Sequence, residues 1–218
     1  MPPRGYAHSV EAPEQHSEPV RRTMRVDAAR NRAAIIDAAT VVLAEQGSAV
    51  DVREIARRSG IGMGTLYRHF PTKEDLLDTV LRTMFLAWAR SARQDAAAAE
   101  DPWAALTNFF ERALTYHAHH RAMVEFLAGN WSVPTAECSV LLRPIIDDLL
   151  ARAHAAGVLR PGVTGDDLSL LLASLGQTVQ ITERCRPEMW RRLLRVCLDG
   201  LRAEHREPLP PYPAPALT

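Results

Sequence analysis

Thr65, Tyr67, Arg68 and His69 lie within five residues of one another, and Lys73 follows four residues later. Leu66 and Phe70, one helical turn apart, make a narrow apolar seam that leaves those residues, with Met63, outside it. Hydroxyls, a guanidinium, an imidazole and an ammonium on one short face suit hydrogen bonds to phosphates and to base edges. The local charge agrees. From Arg53 to Lys73 there are five cations (Arg53, Arg57, Arg58, Arg68, Lys73) against one acid, Glu54. The whole chain holds 26 basic and 26 acidic residues, so any affinity for a polyanion has to come from such a patch. Lys73 sits in the first turn of a helix, the unfavourable end for a cation, and a phosphate docked there would explain its place. Taken singly, Lys73 and the Arg57–Arg58 pair also read as solvated surface. Their company with Thr65, Tyr67, Arg68 and His69 favours the anion-binding reading.

These residues need a scaffold, and the pattern around them is helical throughout. A first helix is expected from about Ala28 to Glu45, with Ile35, Ala39, Val42 and Leu43 on one face and Gly47 as its cap. A second, short helix opens at Asp51. Asp51 and Glu54 have capping-box spacing, and Val50 and Ile55 that of a hydrophobic staple. It ends at Ser59-Gly60, where glycine suits a tight turn with positive φ. A third helix spans about Gly62 to Phe70 and is stopped by Pro71. Thr72 and Asp75 then cap a fourth, buried through Leu76, Leu77, Val80, Leu81 and Met84. Short helix, turn, short helix is the arrangement in which one helix braces another against a groove.

Beyond this module the sequence predicts a larger helical body, giving an all-α chain in two parts. The expected divisions are a loose, partly basic arm over 1–25, a helix-turn-helix module over 26–82, a helical body over 83–206 and a loose tail over 207–218. Pro2, Pro3, Pro13 and Pro19 mark the arm, and Arg21, Arg22 and Arg25 make its end basic. Asp101-Pro102 opens one body helix. Pro144 interrupts another. Thr164 and Asp167 cap the first of two apolar helices, about 165–183 and 188–204, which could pair with their copies in a dimer with Gly176 allowing close approach. Trp103, Phe109, Phe110, Tyr116, His117, Phe126 and Trp131 are candidate linings of an apolar pocket, although each also suits ordinary core.

Other chemistries find little support. Cys138, Cys185 and Cys197 are too few and scattered for a disulfide framework. His117, His119 and His120 lack a cysteine or carboxylate at ligand spacing, so no metal and no cofactor is expected. No phosphate loop, zinc-protease signature or nucleophile elbow occurs, and no enzyme is expected. The chain shows neither an apolar leader nor a membrane-length apolar run, and a cytoplasmic location is the expectation. A helical protein-interaction module would account for the body, but not for the Thr65–Lys73 face.

Residues 30–81 resemble the DNA-binding domain of the tetracycline-repressor family. The likeness is densest in Ile55-Ala56, Ser59-Gly60-Ile61 and the run from Gly64 to Leu77, GTLYRHFPTKEDLL. The resemblance implies phosphate contacts for Thr65, Tyr67 and Lys73. It implies base or groove contacts for Arg53, Met63, Gly64 and His69, and structural roles for Leu66 and Phe70; Arg68, on the same exposed face, is a further candidate for a groove contact. The resemblance also implies a homodimer on a palindromic duplex operator and a body that holds a small effector, the alternative being a constitutive DNA-binding dimer. Two departures stand out. Gly62 replaces the usual hydroxyl cap of the third helix, and Met63 offers no strong donor, so DNA shape would carry part of the readout.

Overall fold

The structure, a computed structural model, describes residues 17–46, 50–119, 135–182, 185–204 and 207–211, with side chains described from Arg25 in the first segment and from Val140 in the third. Eight helices are seen among these residues: α1 (Ser17–Gln46), α2 (Val52–Ser59), α3 (Met63–His69), α4 (Lys73–Ala98), α5 (Pro102–His119), α6 (Thr135–Ala155), α7 (Gly165–Thr182) and α8 (Met189–Gly200). The only strand-like pairing among them is an isolated antiparallel bridge between Leu159 and Arg202.

Two apolar cores share no residue. The first joins α1 to α4 through Ile35, Ala39, Val42, Ile55, Leu66, Phe70, Leu76 and Val80. The second lies in the body, through Leu106, Phe110, Leu114, Leu149, Leu168, Leu175, Trp190 and Leu194. Helix α4 belongs to both. Leu76, Leu77, Val80 and Leu81 fill the first core, and Ala92 and Ala96 enter the second. The expected boundary at 82/83 therefore falls inside one continuous helix.

The first helix begins earlier than the sequence reading placed it. Residues 17–25 are the opening turns of α1, which corrects the loose arm over that stretch; residues 1–16 lie outside the described residues. From Val20 to Gln46 the chain has neither glycine nor proline. Pro19 sits in the first turn, where its missing N–H breaks no helical bond. Prolines and polar residues were the signal for looseness, but Glu18, Met24 and the three arginines of this stretch are good helix formers. Gly47 and the segment Met123–Leu127 also lie outside the described residues.

The body helices start and stop as their local chemistry dictates. Asp101 accepts from the Trp103 amide at 2.9 Å and caps α5 behind Pro102. Helix α6 runs through Pro144 as one segment. Its Arg152 donates to the carbonyls of Ala96, at 2.5 Å, and Ala99, closing the end of α4. Thr164 and Asp167 cap α7 reciprocally, at 2.8 and 3.2 Å. Gly176 is buried inside the protomer, and a Cβ there would stand 3.5 Å from the His117 ring. The close approach that glycine permits is thus α5 on α7 within one subunit, not helix against helix across a dimer.

Candidate nucleic-acid interface

Helix α2 is fixed at both ends. The Asp51 carboxylate accepts from the Arg53 amide at 2.9 Å. Val52, Ile55 and Ala56 are buried, and Val50 closes over the start of the helix from outside it. At the other end Gly60 adopts φ 68, ψ 14, and the Ile61 amide reaches back to the Ala56 carbonyl at 3.2 Å. That left-handed residue turns the chain so that α3 leaves across α2.

Within α3 only Leu66 is buried, and Phe70 closes the helix with its ring in the core. The remainder faces outward or lies at the rim. Gly64 and Arg68 are exposed, Tyr67 is 44% exposed, and Thr65 and His69 are half-buried. Met63 is half-buried as well, but it packs against the first core, so its side chain is partly structural. No side-chain cap covers the start of α3 at Gly62. A Cβ at Gly62 or Gly64 would meet nothing within 4 Å, so the protein's own packing gives no reason for either glycine. An exposed glycine inside a helix costs up to about 1 kcal/mol relative to alanine. A macromolecule approaching the start of α3 closely is a reason to keep it.

Thr72 and Asp75 form the expected capping box, Asp75 N to Thr72 Oγ1 at 3.0 Å and Thr72 N to Asp75 Oδ2 at 3.2 Å. The box sets Lys73 at the first position of α4, beside the end of α3.

The basic residues divide into two groups. Arg57 grips both oxygens of Glu54, at 2.8 and 2.6 Å. Arg58 reaches Glu54 at 2.7 Å and holds both oxygens of Glu45, on α1, at 2.9 and 2.6 Å. Arg58 thereby braces α2 on α1, whereas Arg57 is tied within α2. Their hydrogen bonds hold the Glu54 carboxyl at about 2 and pull Glu45 below its ordinary range. The same bonds push both guanidinium pKa values up. This corrects the sequence reading twice. Glu54 serves the arginines and not a capping box with Asp51, and Glu45 enters the basic patch from a distant part of the chain. Among the described residues, the Arg53, Arg68 and Lys73 side chains form no hydrogen bond or ion pair, so in the stretch from Arg53 to Lys73 theirs are the charges no acid offsets.

The expected pocket set does not converge. Phe110 is fully buried, Phe109 nearly so, Trp103 lies beneath the Arg202 guanidinium at 4.4 Å, and His117 abuts Gly176. Phe126 and Trp131 lie outside the described residues. Two clefts open instead along the seam of α4 and α5. One, of about 400 Å³, is walled by Trp88, Thr115, Tyr116, His119 and Arg191. The Trp88 and Tyr116 rings stand 5.1 Å apart there. The other, of about 240 Å³, includes Ala92, Ala96, Phe109 and Arg112. Phe85 and Trp88, one turn apart on α4, are a local aromatic pair, but only packing against α5 brings them to Phe109 and Tyr116. Among the described residues no helix is long and apolar enough to cross a membrane, and no three metal-ligating side chains gather.

Residues 35–80 match the family model for bacterial regulatory proteins of the tetR family. Residues 101–203 match the SbtR-like transcriptional regulator C-terminal domain. The transcriptional repressor KstR2 of Mycobacterium tuberculosis is 35% identical over 95 residues, a segment that covers 43% of this chain and 47% of that protein. The repressor Rv3405c of the same organism is 34% identical over 148 residues, 62% of this chain and 73% of the relative. A TetR transcription regulatory protein from Mycobacterium vanbaalenii is similar in structure, with TM-score 0.60, 34% identity, and coverage of 82% of this chain and 99% of that one. Regulator SCO0520 from Streptomyces coelicolor gives TM-score 0.57 and 30% identity over 78% and 98% of the two chains. With an outward-facing α3 braced by α2 and both halves matched, the chain belongs to the TetR family of bacterial transcriptional regulators.

Proposed function

We propose that this chain is a dimeric, sequence-specific DNA-binding repressor that reads the major groove with α3 and leaves its operator when a small, mainly apolar effector binds the body. The observation that carries the DNA reading is the face of α3. Its exposed glycine, hydroxyls and ring nitrogen stand beside three cations, Arg53, Arg68 and Lys73, that the described residues leave without an acceptor. Thr65, Tyr67 and Lys73 hold phosphates in this reading. Arg53, Gly64, Arg68 and His69 approach base edges, with Met63 in a lesser role. Arg21, Arg22 and Arg25, now placed on the first turns of α1, extend the contact along the duplex. Two relatives carry the name repressor, which supports the sign of regulation.

The test is binding of labelled duplex across a range of salt, followed by footprinting on the DNA flanking the chain's own gene. The expected result is steep weakening with salt and a two-fold symmetric footprint. Binding that ignores salt, or protection of one asymmetric half-site, would overturn the reading.

The effector part rests on α4. Its Trp88 walls the larger cleft while its first turns lie in the reading core, so a ligand that prefers one setting of α4 changes the reading heads. A tenfold preference corresponds to about 1.4 kcal/mol, within reach of a few buried methylene groups. DNA affinity unmoved by a broad panel of lipophilic compounds would leave the second reading, a constitutive dimer. The close packing of Phe109 and Phe110 favours that alternative.

A further inference from the structure

We infer that Arg32, on α1, is a DNA-backbone contact held ready by Phe70, so that a third helix supplies a phosphate anchor beside the reading helix. The inference rests on the DNA reading above and adds a residue to it. The Arg32 guanidinium lies 5.1 Å from the centroid of the Phe70 ring. Phe70 closes α3, and Lys73 follows three residues later on α4, so α1, α3 and α4 meet at this corner. Arg32 is exposed, and among the described residues it forms no hydrogen bond or ion pair.

Three other arginines of the module show what a paired role looks like here. Arg57 and Arg58 are tied to Glu54 and Glu45, and Arg30 stands 3.9 Å from Asp27. Arg32 has only the aromatic face. A cation over a ring is fixed in position by the ring's negative face, and its N–H groups stay open to an acceptor. A phosphate diester is an acceptor that a guanidinium can meet with two parallel hydrogen bonds. Arg25 adds direction. It is exposed, without an acceptor among the described residues, and seven residues earlier on the same helix face, about 10 Å along the axis. Arg25 thus extends along α1 the row of cations that Arg32 begins at this corner.

The competing role is a lid over Phe70, and methionine separates the two. It keeps an apolar chain over the ring and removes the charge. Full-length wild type, Arg32→Met, Arg32→Lys and Lys73→Ala would be titrated into a mixed-sequence duplex of about 30 base pairs by fluorescence anisotropy, from about 50 to 200 mM salt. Arg32→Met is expected to bind on the order of tenfold more weakly, with a salt slope shallower by about 2, one contact from each subunit of the dimer. Arg32→Lys is expected to keep the slope but bind more weakly, because lysine lacks the planar two-pronged donor set. Neither should lower the melting temperature. An unchanged slope in Arg32→Met, or weaker binding with a lower melting temperature at the same slope, would make Arg32 a lid and overturn the inference. A reduced slope in Lys73→Ala but not in Arg32→Met would overturn it while sparing the DNA reading. A wild-type protein that ignores the duplex would overturn both.

Discussion

Arg57 and Arg58 stand a few residues from Arg53 in the sequence, yet their surroundings give them a different task. Both are tied to Glu54, and Arg58 also to Glu45, while Arg53 faces outward. Alanine at Arg57 should therefore change duplex affinity little, and its salt slope by much less than Lys73→Ala does; anisotropy titrations would decide, and equal slope changes would refute the division. Tyr67→Phe should weaken specific and mixed-sequence duplex alike, with folding stability intact, if the hydroxyl holds a phosphate; altered base preference with unchanged mixed-sequence affinity would contradict that role. The Glu54 carboxyl gives a pH prediction. Its folded pKa, about 2, is depressed below the unfolded value near 4.5, because Arg57 and Arg58 hydrogen-bond the charged form. Its contribution is therefore complete above about pH 4.5 and is lost as pH falls through about 2. Glu54→Gln should melt below wild type at pH 6, and the gap should narrow as pH falls across that window. The carboxyl is half-buried at the protein surface and its partner Arg57 is largely in water, so the effect is modest. A gap that stays constant down to pH 2 would show that Glu54 acts through packing.

Glycines at the ends of α2 and α3 separate folding from function at the level of the helix. Gly60 holds φ 68, and a Cβ would meet nothing within 4 Å, so Gly60→Ala carries only the backbone cost of the left-handed region, about 1 kcal/mol. Gly64 is the reverse case. It has ordinary helical geometry, so Gly64→Ala should raise thermal stability by up to about 1 kcal/mol while weakening duplex binding, as measured by calorimetry and anisotropy on one preparation. Tighter DNA binding in that variant would remove Gly64 from the interface. The same contrast explains what the sequence made legible. Caps were readable because donor and acceptor lie within four residues: Asp51 with Arg53, Thr72 with Asp75, Asp101 with Trp103, Thr164 with Asp167. The short α2, the left-handed Gly60 and the single seam of α3 follow from the same local rules. Contacts between distant residues were not readable. Glu45 is 13 residues from Arg58, and His117 is 59 from Gly176, so the patch charge and the meaning of that glycine emerged only from packing. The aromatic stripe of α5 was visible, but which rings fill the core and which edge a cleft depends on where α4 lies against them.

Across the molecule, the helices α7 and α8 each have a second apolar stripe that one subunit leaves in water. On α7, Leu170 is 61% exposed and Ile181 75%, eleven residues and so three turns apart on one face. On α8, Met189, Leu193 and Val196 recur at helical spacing, with Val196 61% exposed. Their inner faces, Leu168, Leu172, Leu175 and Val179 on α7 and Trp190, Leu194 and Leu198 on α8, already fill the body core. A helix apolar on both sides in a chain of zero net charge has reason to bury the second side, and a two-fold pairing of α7 and α8 with their copies does so with one patch. Full burial of a leucine, isoleucine or valine is worth about 1.5–3 kcal/mol, and each residue counts twice across a two-fold axis. That total has to exceed an association cost of about 4–15 kcal/mol, so losing the centre of the patch should suffice to separate the subunits. Leu170→Glu with Val196→Glu places four unpaired carboxylates in the interface without touching either core. The expected result is a monomer by sedimentation velocity at micromolar concentration, with far-ultraviolet dichroism unchanged. DNA binding follows from the symmetry. A monomer presents one reading head, so its salt slope on mixed-sequence duplex should fall toward half that of wild type, and symmetric footprints should disappear. A variant that remains dimeric would move the interface to another face, and one that becomes monomeric yet keeps the full slope would mean that a single head makes all the phosphate contacts.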